Sequence, residues 1–492
     1  MTFKELFQDR QVAWGSGDLP SADVTSLCYE SQKAGDGSVF FCLRGQKHDG
    51  HSFAKDAYMR GCRFFVAEEP LGLPEDATVL LCQGSRREMA LLAARYYGAP
   101  GERLMLIGIT GTKGKTTTAL MLRELLERTG TQAAYIGSLG VMIGKERYPT
   151  ANTTPESVEL HKYLRMIEQA GIRVVILEVS SQALARDRIA GLSFRLAVFT
   201  NLTRDHIGDG EHRSMEEYQN AKLLLFTKHS SGKVILNCED RFSDLVFSHR
   251  KREDCIFYGN CRNSMIKAVN IHENKVDNRF CTDFVIAVGE KRHFGRLFFA
   301  GRHYVMDLMA ALCAACELTG KAPCDFMPLV SDLRAEGRCE AVPIQGAGTF
   351  VIDYAHNGAS LAAALQGLRP YVAGKLYCLF GAVGERSQCR RRDMALAASS
   401  YADFSVITED NPGDEDPATI FEEILKGFPR RSCVTVIPDR EAAILYLLRI
   451  SKEGDIVLLA GKGNEGYQLR GASRCPFSEV EILERYRKDF AT

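Results

Sequence analysis

The sequence predicts an α/β protein of three domains, two of them built on mainly parallel, doubly wound sheets. Its 492 residues are enough for about three domains of ordinary size. Between residues 104 and 200, the apolar runs LMLIGIT, QAAYIGS, RVVILEVS and LAVFTNL alternate with helical segments, which is typical of βαβ units. The same alternation restarts after residue 340, in TFVIDYAH, KLYCLFGA, FSVITED, CVTVIPD and DIVLLAGKG.

The predicted domain boundaries follow from these two blocks and from the segment before them. Residues 1–100 carry short apolar runs and two helical patterns, which predict a small α/β domain that ends near the linker-like GAPGERL. Residues 101–337 form the predicted central domain, which contains a sheet extension over 233–300 and an alanine-rich helix over 304–319. Residues 338–492 form the third predicted domain, with ligands expected beyond the carboxyl ends of its strands.

Composition excludes several classes of partner. Lys and Arg together number 62, as do Asp and Glu, so we expect no nucleic-acid partner. The chain has no apolar core of signal-peptide type and no apolar run near the ~18 residues of a spanning helix. These features predict a cytoplasmic protein without membrane insertion, and we expect a monomer. Sixteen cysteines in such a chain favour reduced thiols, and the CxxC at Cys313 and Cys316 favours a buried apolar helix over zinc.

The stretch GITGTKGKTTT at 108–118 lies between an apolar strand pattern and a helical segment. Strand, glycine-rich loop and helix is the arrangement in which backbone N–H groups and a helix N-terminus hold phosphate. Lys115 is expected on the β- and γ-phosphates and the Thr116 hydroxyl on Mg²⁺. The standard motif has a glycine where this chain has Ile109, but the surrounding pattern still favours a nucleotide site over an empty turn.

Three further residues are candidates for using the phosphate. Glu178 ends an apolar strand, where a carboxylate is costly unless it is paired or binds metal. His206 comes at the end of the next strand, and a single histidine there is more often a hydrogen-bonded bystander. Lys222 lies among leucines on a helical segment, and the residues alone favour a lysine that snorkels to solvent. Together with the loop, these groups suit phosphorylation of a carboxylate by ATP, followed by attack of an amine on the acyl phosphate.

A series of ordered motifs then resembles a known family. They are GTKGKTTT, NTTPES, EVSS, TNLTRDH, YQNAK, EGRCE, DYAHNGASL, DNPGDEDP and AGKGNEGYQ. In this order they resemble the Mur ligases, and ESQKAGDGSVFFCLRGQKHDGHSF at 30–53 is similar to the type that acts on UDP-N-acetylmuramoyl-dipeptide (MurE type). The family's loop is G-T-x-G-K-[TS], which accounts for Ile109. The resemblance implies the three-domain Mur ligase architecture: a small α/β N-terminal domain, a central P-loop domain and a C-terminal Rossmann-like domain.

The resemblance also implies a role for individual residues. The positions implied for ATP are Gly111, Thr112, Lys113, Gly114, Lys115, Thr116, Thr117 and Arg338. The positions implied for the UDP-linked substrate are Ser31, Asn152, Thr153, Thr154, Ser180, Arg186 and Arg188. The positions implied for Mg²⁺ are Thr116, Glu178, His206 and Lys222, the last as a carbamate, and those for catalysis are Lys115, Glu178, His206 and Lys222. The positions implied for the incoming amino acid are Arg386, Asp410, Asn411, Gly461 and Glu465, while Asp353 and His356 match positions near the nucleotide.

The implied activity is an ATP-dependent amide ligase that adds the third amino acid to UDP-N-acetylmuramoyl-L-alanyl-D-glutamate in peptidoglycan synthesis. Relatives that add diaminopimelate carry Arg after Asp-Asn-Pro, where this chain has Gly413 followed by three acidic residues. The loss of that cation argues against diaminopimelate, and the acidic run suits an amine-tipped side chain such as lysine or ornithine, although acidic residues are also favoured at a helix N-terminus. His303 and Asp307 stand where the family has asparagines. Alternatives are a diverged amide ligase in other metabolism, such as one similar to folylpolyglutamate synthase, and a nucleotide-binding pseudoenzyme.

Overall fold

The computed structural model describes residues 1–9, 21–45, 48–208, 211–277, 279–384, 388–471 and 473–489. Helices pack on two large, mainly parallel sheets of eight and six strands. Smaller sheets of four, three and two strands complete the described part of the chain. The predicted α/β class is therefore confirmed.

The first hundred residues form a small parallel sheet with helices packed against it. Its strands are β1 Ser26–Cys28, β2 Ser38–Phe41, β3 Phe64–Ala67 and β4 Thr78–Leu81, and the helices are α1 Phe3–Leu6, α2 Ala54–Met59 and α3 Ser85–Tyr96. The strands pair in the order β1-β2-β3-β4, all parallel. Val39 and Phe41 of β2 are fully buried and belong to one apolar cluster with Phe3, Met89 and Leu92. Burial of these side chains holds α1 and α3 on the sheet.

The second region is an eight-stranded sheet whose middle strand leads to the glycine-rich loop. Its strands are β5 Met105–Thr110, β6 Ala133–Gly137, β7 Gly140–Ile143, β8 Glu146–Tyr148, β9 Val174–Glu178, β10 Phe194–Phe199, β11 Ser230–Asn237 and β12 Cys255–Tyr258. Its helices are α4 Lys115–Arg128, α5 Ser157–Gln169, α6 Ser181–Ala185, α7 Met215–Thr227 and α8 Phe242–Ser248. The order is β12-β11-β10-β5-β9-β6-β7-β8, parallel from β12 to β6. Because β5 lies between β10 and β9, the loops after these three strands emerge side by side.

A three-stranded antiparallel sheet and a long apolar helix follow. They are β13 Lys267–Val276, β14 Arg279–Val288, β15 Lys291–Leu297 and α9 Arg302–Thr319, with the short α10 Pro323–Phe326 behind them. Leu308 and Leu312 of α9 share a buried cluster with Met121 and Leu125 of α4, so α9 lies against the helix that begins at the loop. Neither α9 nor any other helix in the described ranges is long and apolar enough to cross a membrane.

The last region is a six-stranded sheet covered on both faces. Its strands are β16 Glu340–Pro343, β17 Thr349–Asp353, β18 Leu376–Phe380, β19 Phe404–Ile407, β20 Val434–Val436 and β21 Ile456–Ala460, and β22 Tyr467–Arg470 and β23 Ser473–Pro476 form a separate hairpin. Its helices are α11 Gly358–Leu368, α12 Gln388–Tyr401, α13 Pro417–Lys426, α14 Arg440–Ile450 and α15 Glu479–Asp489. The order is β16-β17-β21-β18-β19-β20. One buried cluster joins Leu361, Met394 and Ile424 to one face, and another joins Leu447 and Leu483 to the other. This doubly wound arrangement is the one predicted.

One expectation about the cysteines is wrong. Cys238 and Cys261 form a disulfide, whereas the sequence favoured reduced thiols throughout. The two residues follow β11 and β12, whose last residues Asn237 and Tyr258 are paired in register, so the chain brings the thiols to the same sheet edge. Sequence separation gave no sign of this pairing. Cys313 and Cys316 are free thiols buried on α9, in agreement with the interpretation as small core residues.

Candidate active site

The loop between β5 and α4 requires glycine at two positions. Gly111 and Gly114 have φ of 153° and 81°, in the region that side chains rarely adopt. A Cβ on Gly111 would collide with Thr200 Oγ1, and one on Gly114 would collide with the Asp307 carboxylate. Ile109, which raised the question about the motif, is a buried residue of β5 paired with Glu178. It lies before the loop and needs no special backbone conformation.

Hydrogen bonds from the end of β10 fix the shape of the loop. The Thr112 N–H donates to Asn201 O at 2.7 Å and the Lys113 N–H donates to Asn201 Oδ1 at 3.0 Å. The Thr200 hydroxyl donates to Lys113 O at 2.5 Å. Lys115, the first residue of α4, curls back so that its Nζ donates to Gly111 O at 2.9 Å. Burial lowers the pKa of Lys115, although the charges of Glu178 and Asp205 act in the opposite direction.

Glu178 is a buried carboxylate surrounded by donors. It is 1% exposed, and it accepts hydrogen bonds from the Tyr135 hydroxyl, the Ser138 N–H at 3.1 Å and the Thr116 hydroxyl at 3.0 Å. Since Thr116 belongs to the loop, Glu178 and the expected phosphate position share one edge of the sheet. These donors offset the desolvation that would otherwise make a carboxylate there unfavourable.

His206 and Asp205 follow β10 at the same edge. His206 has a left-handed φ of 55°, and its Nδ1 lies 2.9 Å from Glu211 Oε1. Burial lowers the pKa of His206 despite the neighbouring acidic groups. A strained backbone that turns a neutral imidazole into a cavity is a common feature of functional sites.

Asp205 connects the loop to the C-terminal region. It accepts hydrogen bonds from Lys113 Nζ at 2.9 Å, from Asn357 Nδ2 at 2.9 Å and from Arg390 at 3.3 Å. Burial opposes the charge on Asp205, but the adjacent Lys113 and Arg390 outweigh it and lower its pKa. Burial likewise lowers the pKa of Lys113, to about 8. The sequence reasoning missed Asn357 and Arg390. Their only signal was their position at the start of helices that follow strand ends.

Lys222 is buried, contrary to the reading as a snorkelling lysine. Its side chain is 1% exposed, its Nζ donates to Gly111 O at 2.8 Å, and it lies 4.5 Å from the centre of the Tyr218 ring. Burial first, and then the charge of Lys115, push its pKa well below the ordinary value. A lowered pKa increases the uncharged fraction of this amine, and the uncharged amine is the form that reacts with carbon dioxide.

A cavity of about 680 Å³ joins most of the predicted groups. Of the predicted residues, those that line it are Thr112, Lys113, Gly114, Lys115, Thr116, Thr117, Asn152, Thr153, Glu178, His206, Arg338, Asp353, His356, Asp410, Asn411, Gly461 and Glu465. Lys222 reaches the loop from behind, through Gly111, and does not line the cavity. Arg386 lies outside the described residues. Positions from the expected ATP, metal and amino-acid groups therefore face one space.

The positions expected near the UDP-linked substrate are divided between two places. Asn152 and Thr153 line the large cavity, whereas Thr154 accepts from the Ser180 N–H at 3.0 Å and donates to Glu178 O. Arg188 is 7% exposed and forms an ion pair with Glu156 at 2.8 Å. These contacts give Thr154, Ser180 and Arg188 a structural role at the end of β9.

Arg186 lines a second cavity, of about 340 Å³, on the side of the N-terminal sheet. Arg44, Arg86 and Arg87 also line this cavity, together with Glu68 and Asp187. Four arginines from both regions face one cleft, an arrangement that the sequence did not reveal. Ser31, the other expected position in the N-terminal region, begins a 3-10 helix and lines neither cavity.

The C-terminal end of the large cavity contains a lysine that the sequence reasoning missed. Lys462 is fully buried, donates to Asn411 Oδ1 at 2.6 Å and forms ion pairs with Asp410 at 3.0 Å and Glu465 at 3.3 Å. Gly461 has a φ of 114°, and its N–H donates to Asp353 O at 3.0 Å. The GKG sequence after a buried strand was the available signal. Lys462 fixes the orientation of the three polar groups around it.

The acidic run after Gly413 is used within the fold. Glu415 forms a bidentate ion pair with Arg391, at 2.7 and 2.6 Å, and Arg391 is only 2% exposed. Asp416 caps α13 by accepting from the Ala418 N–H. Glu415 and Asp416 therefore match the helix N-terminus interpretation of the run.

His303 and Asp307, which stand where the resembled family has asparagines, both line the large cavity at the start of α9. Asp307 is 6% exposed, lies against Gly114, and has a pKa raised well above the ordinary value by burial. The ring of His303 packs on Tyr304, whose hydroxyl donates to Asp353 at 2.9 Å. Arg338 lies over the Tyr354 ring at 4.5 Å and faces the same space. A protonated Asp307 would offer one donor group and one carbonyl acceptor, as an asparagine does, although with a single donor hydrogen instead of two.

Comparison with known proteins places this geometry in context. Residues 109–315 match the Mur ligase middle domain, and residues 337–463 match the Mur ligase, glutamate ligase domain. The chain is 37% identical over 478 residues to the UDP-N-acetylmuramoyl-L-alanyl-D-glutamate–2,6-diaminopimelate ligase of Geobacillus kaustophilus, with 95% of each chain covered. A ligase of the same name from Clostridium acetobutylicum is 33% identical, with 99% of this chain and 100% of that one covered.

Solved structures show the same fold over all or most of the chain. A UDP-N-acetylmuramoyl-L-alanyl-D-glutamate–2,6-diaminopimelate ligase superimposes with a TM-score of 0.67 at 26% identity, covering 100% of this chain and 99% of that one. A folylpolyglutamate synthase from Mycobacterium tuberculosis has a TM-score of 0.60 at 15% identity, covering 81% of this chain and 94% of that one. At that identity the second likeness shows the fold alone.

Proposed function

The chain belongs to the Mur ligase family, as a ligase of the MurE type in the synthesis of peptidoglycan precursors, and we propose that it uses ATP to join 2,6-diaminopimelate to UDP-N-acetylmuramoyl-L-alanyl-D-glutamate. One observation carries this proposal. The phosphate loop, the buried carboxylate Glu178 and the polar groups around Lys462 face one cavity of about 680 Å³. A nucleotide, a carboxylate and an amine can therefore meet there without crossing the protein.

The proposed reaction has two steps. A substrate carboxylate oxygen attacks the γ-phosphorus of ATP, a new P–O bond forms, the bond to the β-phosphate oxygen breaks, and ADP leaves. The amine nitrogen then attacks the acyl carbon, the C–O bond to phosphate breaks, and the nitrogen loses a proton as the amide forms. Both steps concentrate negative charge at one place, so preorganised positive groups contribute most of the rate enhancement.

The loop residues would bind and orient the nucleotide. The backbone N–H groups from Gly111 to Thr116 surround the space at the start of α4, where the helix N-terminus favours an anion. Lys115 would exchange its hydrogen bonds to Gly111 O and Thr112 O for a phosphate oxygen. Arg338 lines the same cavity and would hold another part of the nucleotide.

The donor set at Glu178 fits a magnesium ion. Mg²⁺ prefers hard oxygen ligands such as carboxylates and hydroxyls. Thr116 Oγ1 and Glu178 Oε2 are 3.0 Å apart. We propose that Thr116, Glu178, His206 and Lys222 would hold the ion. When bound, it would supply positive charge between the γ-phosphate and the substrate carboxylate.

Lys222 joins that set only if it is modified. As an ammonium it donates to Gly111 O and repels Lys115, so it opposes a cation. Carbamylation would convert the buried amine into a carboxylate-like group, which would neutralise the excess positive charge beside the loop. Carbon-13 bicarbonate should therefore give a carbamate NMR signal in the wild type that is absent from Lys222→Met. Its presence at equal intensity in the variant would place the carbamate elsewhere.

The arginine-lined cleft is suited to the other end of the substrate. Arg44 and Arg86 come from the N-terminal region and Arg186 from the region after β9, and all three face a cavity of about 340 Å³. We propose that this cleft binds the diphosphate of the UDP-linked substrate, since arginine pairs with phosphate through two parallel hydrogen bonds.

The choice of diaminopimelate rests on the relatives and on the loss of the argument for lysine. The relatives at 33–37% identity carry 2,6-diaminopimelate in their names. Glu415 and Asp416 are used by Arg391 and by the α13 cap, so the acidic run no longer favours lysine. The amino group of the incoming amino acid would meet Asp410 and Glu465 in the cavity.

Phosphate release tests the proposal directly. The purified protein is incubated with ATP, Mg²⁺, the UDP-linked dipeptide and one amino acid at a time, and the product mass is measured. We expect one phosphate per product and a mass gain of one diaminopimelate less water. Release with lysine alone would correct the amino acid. Absence of any product with the UDP-linked dipeptide would favour the diverged amide ligase.

A further inference from the structure

The hairpin β22–β23 presents two different faces. Tyr467 and Leu469 of β22 line the large cavity. The alternate residues turn away from it, since Gln468 donates to Glu409 O at 3.3 Å and Arg470 forms ion pairs with Glu409 and Asp439. Successive side chains of a strand point to opposite faces, so the odd-numbered residues of β22 define the cavity side.

Register places Arg474 on the cavity side of this hairpin. Arg474 of β23 is directly opposite Leu469, and opposed residues of an antiparallel pair share a face. Its guanidinium lies 3.9 Å from the centre of the Tyr467 ring. Tyr467 lines the cavity, whereas Arg474 is exposed and lies outside its lining, so the strand pairing and the ring contact place Arg474 at the cavity rim. In the described part of the chain, Arg474 has no carboxylate within ion-pair distance.

The charges at this end of the cavity are unbalanced in a specific way. Asp410 and Glu465 supply two carboxylates, and Lys462, the buried cation between them, is already paired with both. Among the residues described at this end of the cavity, two carboxylates are available to a ligand ammonium, whereas the one cation between them, Lys462, is already paired. Gly413, whose carbonyl accepts from the Gly471 N–H at 2.9 Å, has no side chain to supply one.

We propose that Arg474 is the specificity-determining cation of the amino-acid site, where it binds a second carboxylate at the far end of the incoming amino acid. This inference rests on the proposed function and deepens it. Stacking on Tyr467 holds the guanidinium plane and leaves its edge N–H groups free to donate two parallel hydrogen bonds to a carboxylate. The substrate class it selects is an amino acid with a distal carboxylate, which excludes lysine and ornithine.

Steady-state kinetics of three variants test the inference. Arg474→Gln should raise KM for 2,6-diaminopimelate about tenfold or more, with kcat, KM for ATP and KM for the UDP-linked dipeptide within twofold of wild type. Arg474→Lys keeps the charge but loses the planar fork, so we expect an intermediate KM. Arg470→Gln is the matched control, because it removes an arginine from the other face of the same hairpin and should leave every KM unchanged.

The outcomes separate this inference from the function on which it rests. If the wild type joins diaminopimelate and Arg474→Gln has an unchanged KM, Arg474 does not bind the distal carboxylate. If Arg474→Gln and Arg470→Gln raise all three KM values equally, the hairpin acts only as structure and the inference is also refuted. If the wild type joins lysine and rejects diaminopimelate, the selected class is wrong. If it joins no amino acid to the UDP-linked dipeptide, the proposed function itself fails.

Discussion

Replacing Lys222 with methionine should stabilise the protein and inactivate it. The ammonium of Lys222 is 1% exposed and unpaired with any carboxylate in the described residues, so desolvation opposes it. The effective penalty for such an ion is several kcal/mol. Its hydrogen bond to Gly111 O offsets about 1.5–3 kcal/mol of this, and its contact with the Tyr218 ring offsets about 2 kcal/mol.

The substitution leaves little behind to penalise it. Gly111 O keeps a donor, because Lys115 Nζ also binds it at 2.9 Å. The repulsion between Lys115 and Lys222 is removed, and the methionine stem fills most of the volume. We therefore expect a net stabilisation of about 1 kcal/mol, or about 2–4 °C in Tm. Activity should fall about 100-fold or more, since a group beside the phosphates is lost.

Two measurements, on Lys222→Met and on a control variant, test this prediction. Thermal unfolding is followed in carbonate-free buffer, where Lys222 carries no carbamate, and phosphate release is followed with added bicarbonate. Lys228→Met, at the C-cap of the same helix but 43% exposed and paired with Asp187 at 3.2 Å, is the control and should change neither quantity appreciably. A lower Tm for Lys222→Met would show that the buried ammonium is stabilising. Full activity of Lys222→Met would show that Lys222 has no role in the reaction.

Three further substitutions probe the rest of the cavity. Lys115→Ala should abolish ATP-dependent phosphate release while preserving the fold, and unchanged release would refute the assignment of the loop. Burial raises the pKa of Asp307, so ionisation of this carboxyl above about pH 4 favours the unfolded chain. Asp307→Asn should therefore raise Tm more at pH 7 than at pH 4. An equal change in Tm at both pH values would contradict this. At position 413 an arginine side chain has open space, but the φ of 62° is strained for any residue with a Cβ, so Gly413→Arg should lower Tm by a few degrees. Because the new guanidinium can pair with a carboxylate, the preference for diaminopimelate over lysine should rise about tenfold. An unchanged preference would show that this loop does not contact the substrate.

The sequence predicted those site residues that lie at the ends of apolar strands. Glu178 and His206 follow β9 and β10, and parallel strands bring their carboxyl ends to one edge whatever the details of packing. Lys222 could not be placed in this way, because a helical lysine between leucines is compatible with either burial or exposure. Its position depends on how α7 packs against the loop.

Other features depend on partners that are distant along the chain. Arg391 and Glu415 pair across 24 positions, and nothing in either segment alone indicates that the acidic run is occupied. The Cys238–Cys261 disulfide depends on the register of β11 with β12. Turn chemistry and apolar periodicity describe residues that are neighbours in sequence. They cannot predict contacts that depend on sheet order and helix packing.

The shared carboxylate of Asp205 has a thermodynamic consequence. It binds Lys113 of the loop together with Asn357, which is 152 positions away, and Arg390, which is 185 positions away. A phosphate bound in the loop competes with Asp205 for Lys113. Nucleotide binding must therefore change the strength of the junction, meaning the contacts through which Asp205 joins the loop to Asn357 and Arg390. Linkage is reciprocal: the factor by which ATP changes the junction is the factor by which the junction changes the affinity for ATP. We therefore expect Asn357 and Arg390, although distant from the loop in sequence, to influence nucleotide affinity, and nucleotide binding to change the contacts of Asp205 with the C-terminal region.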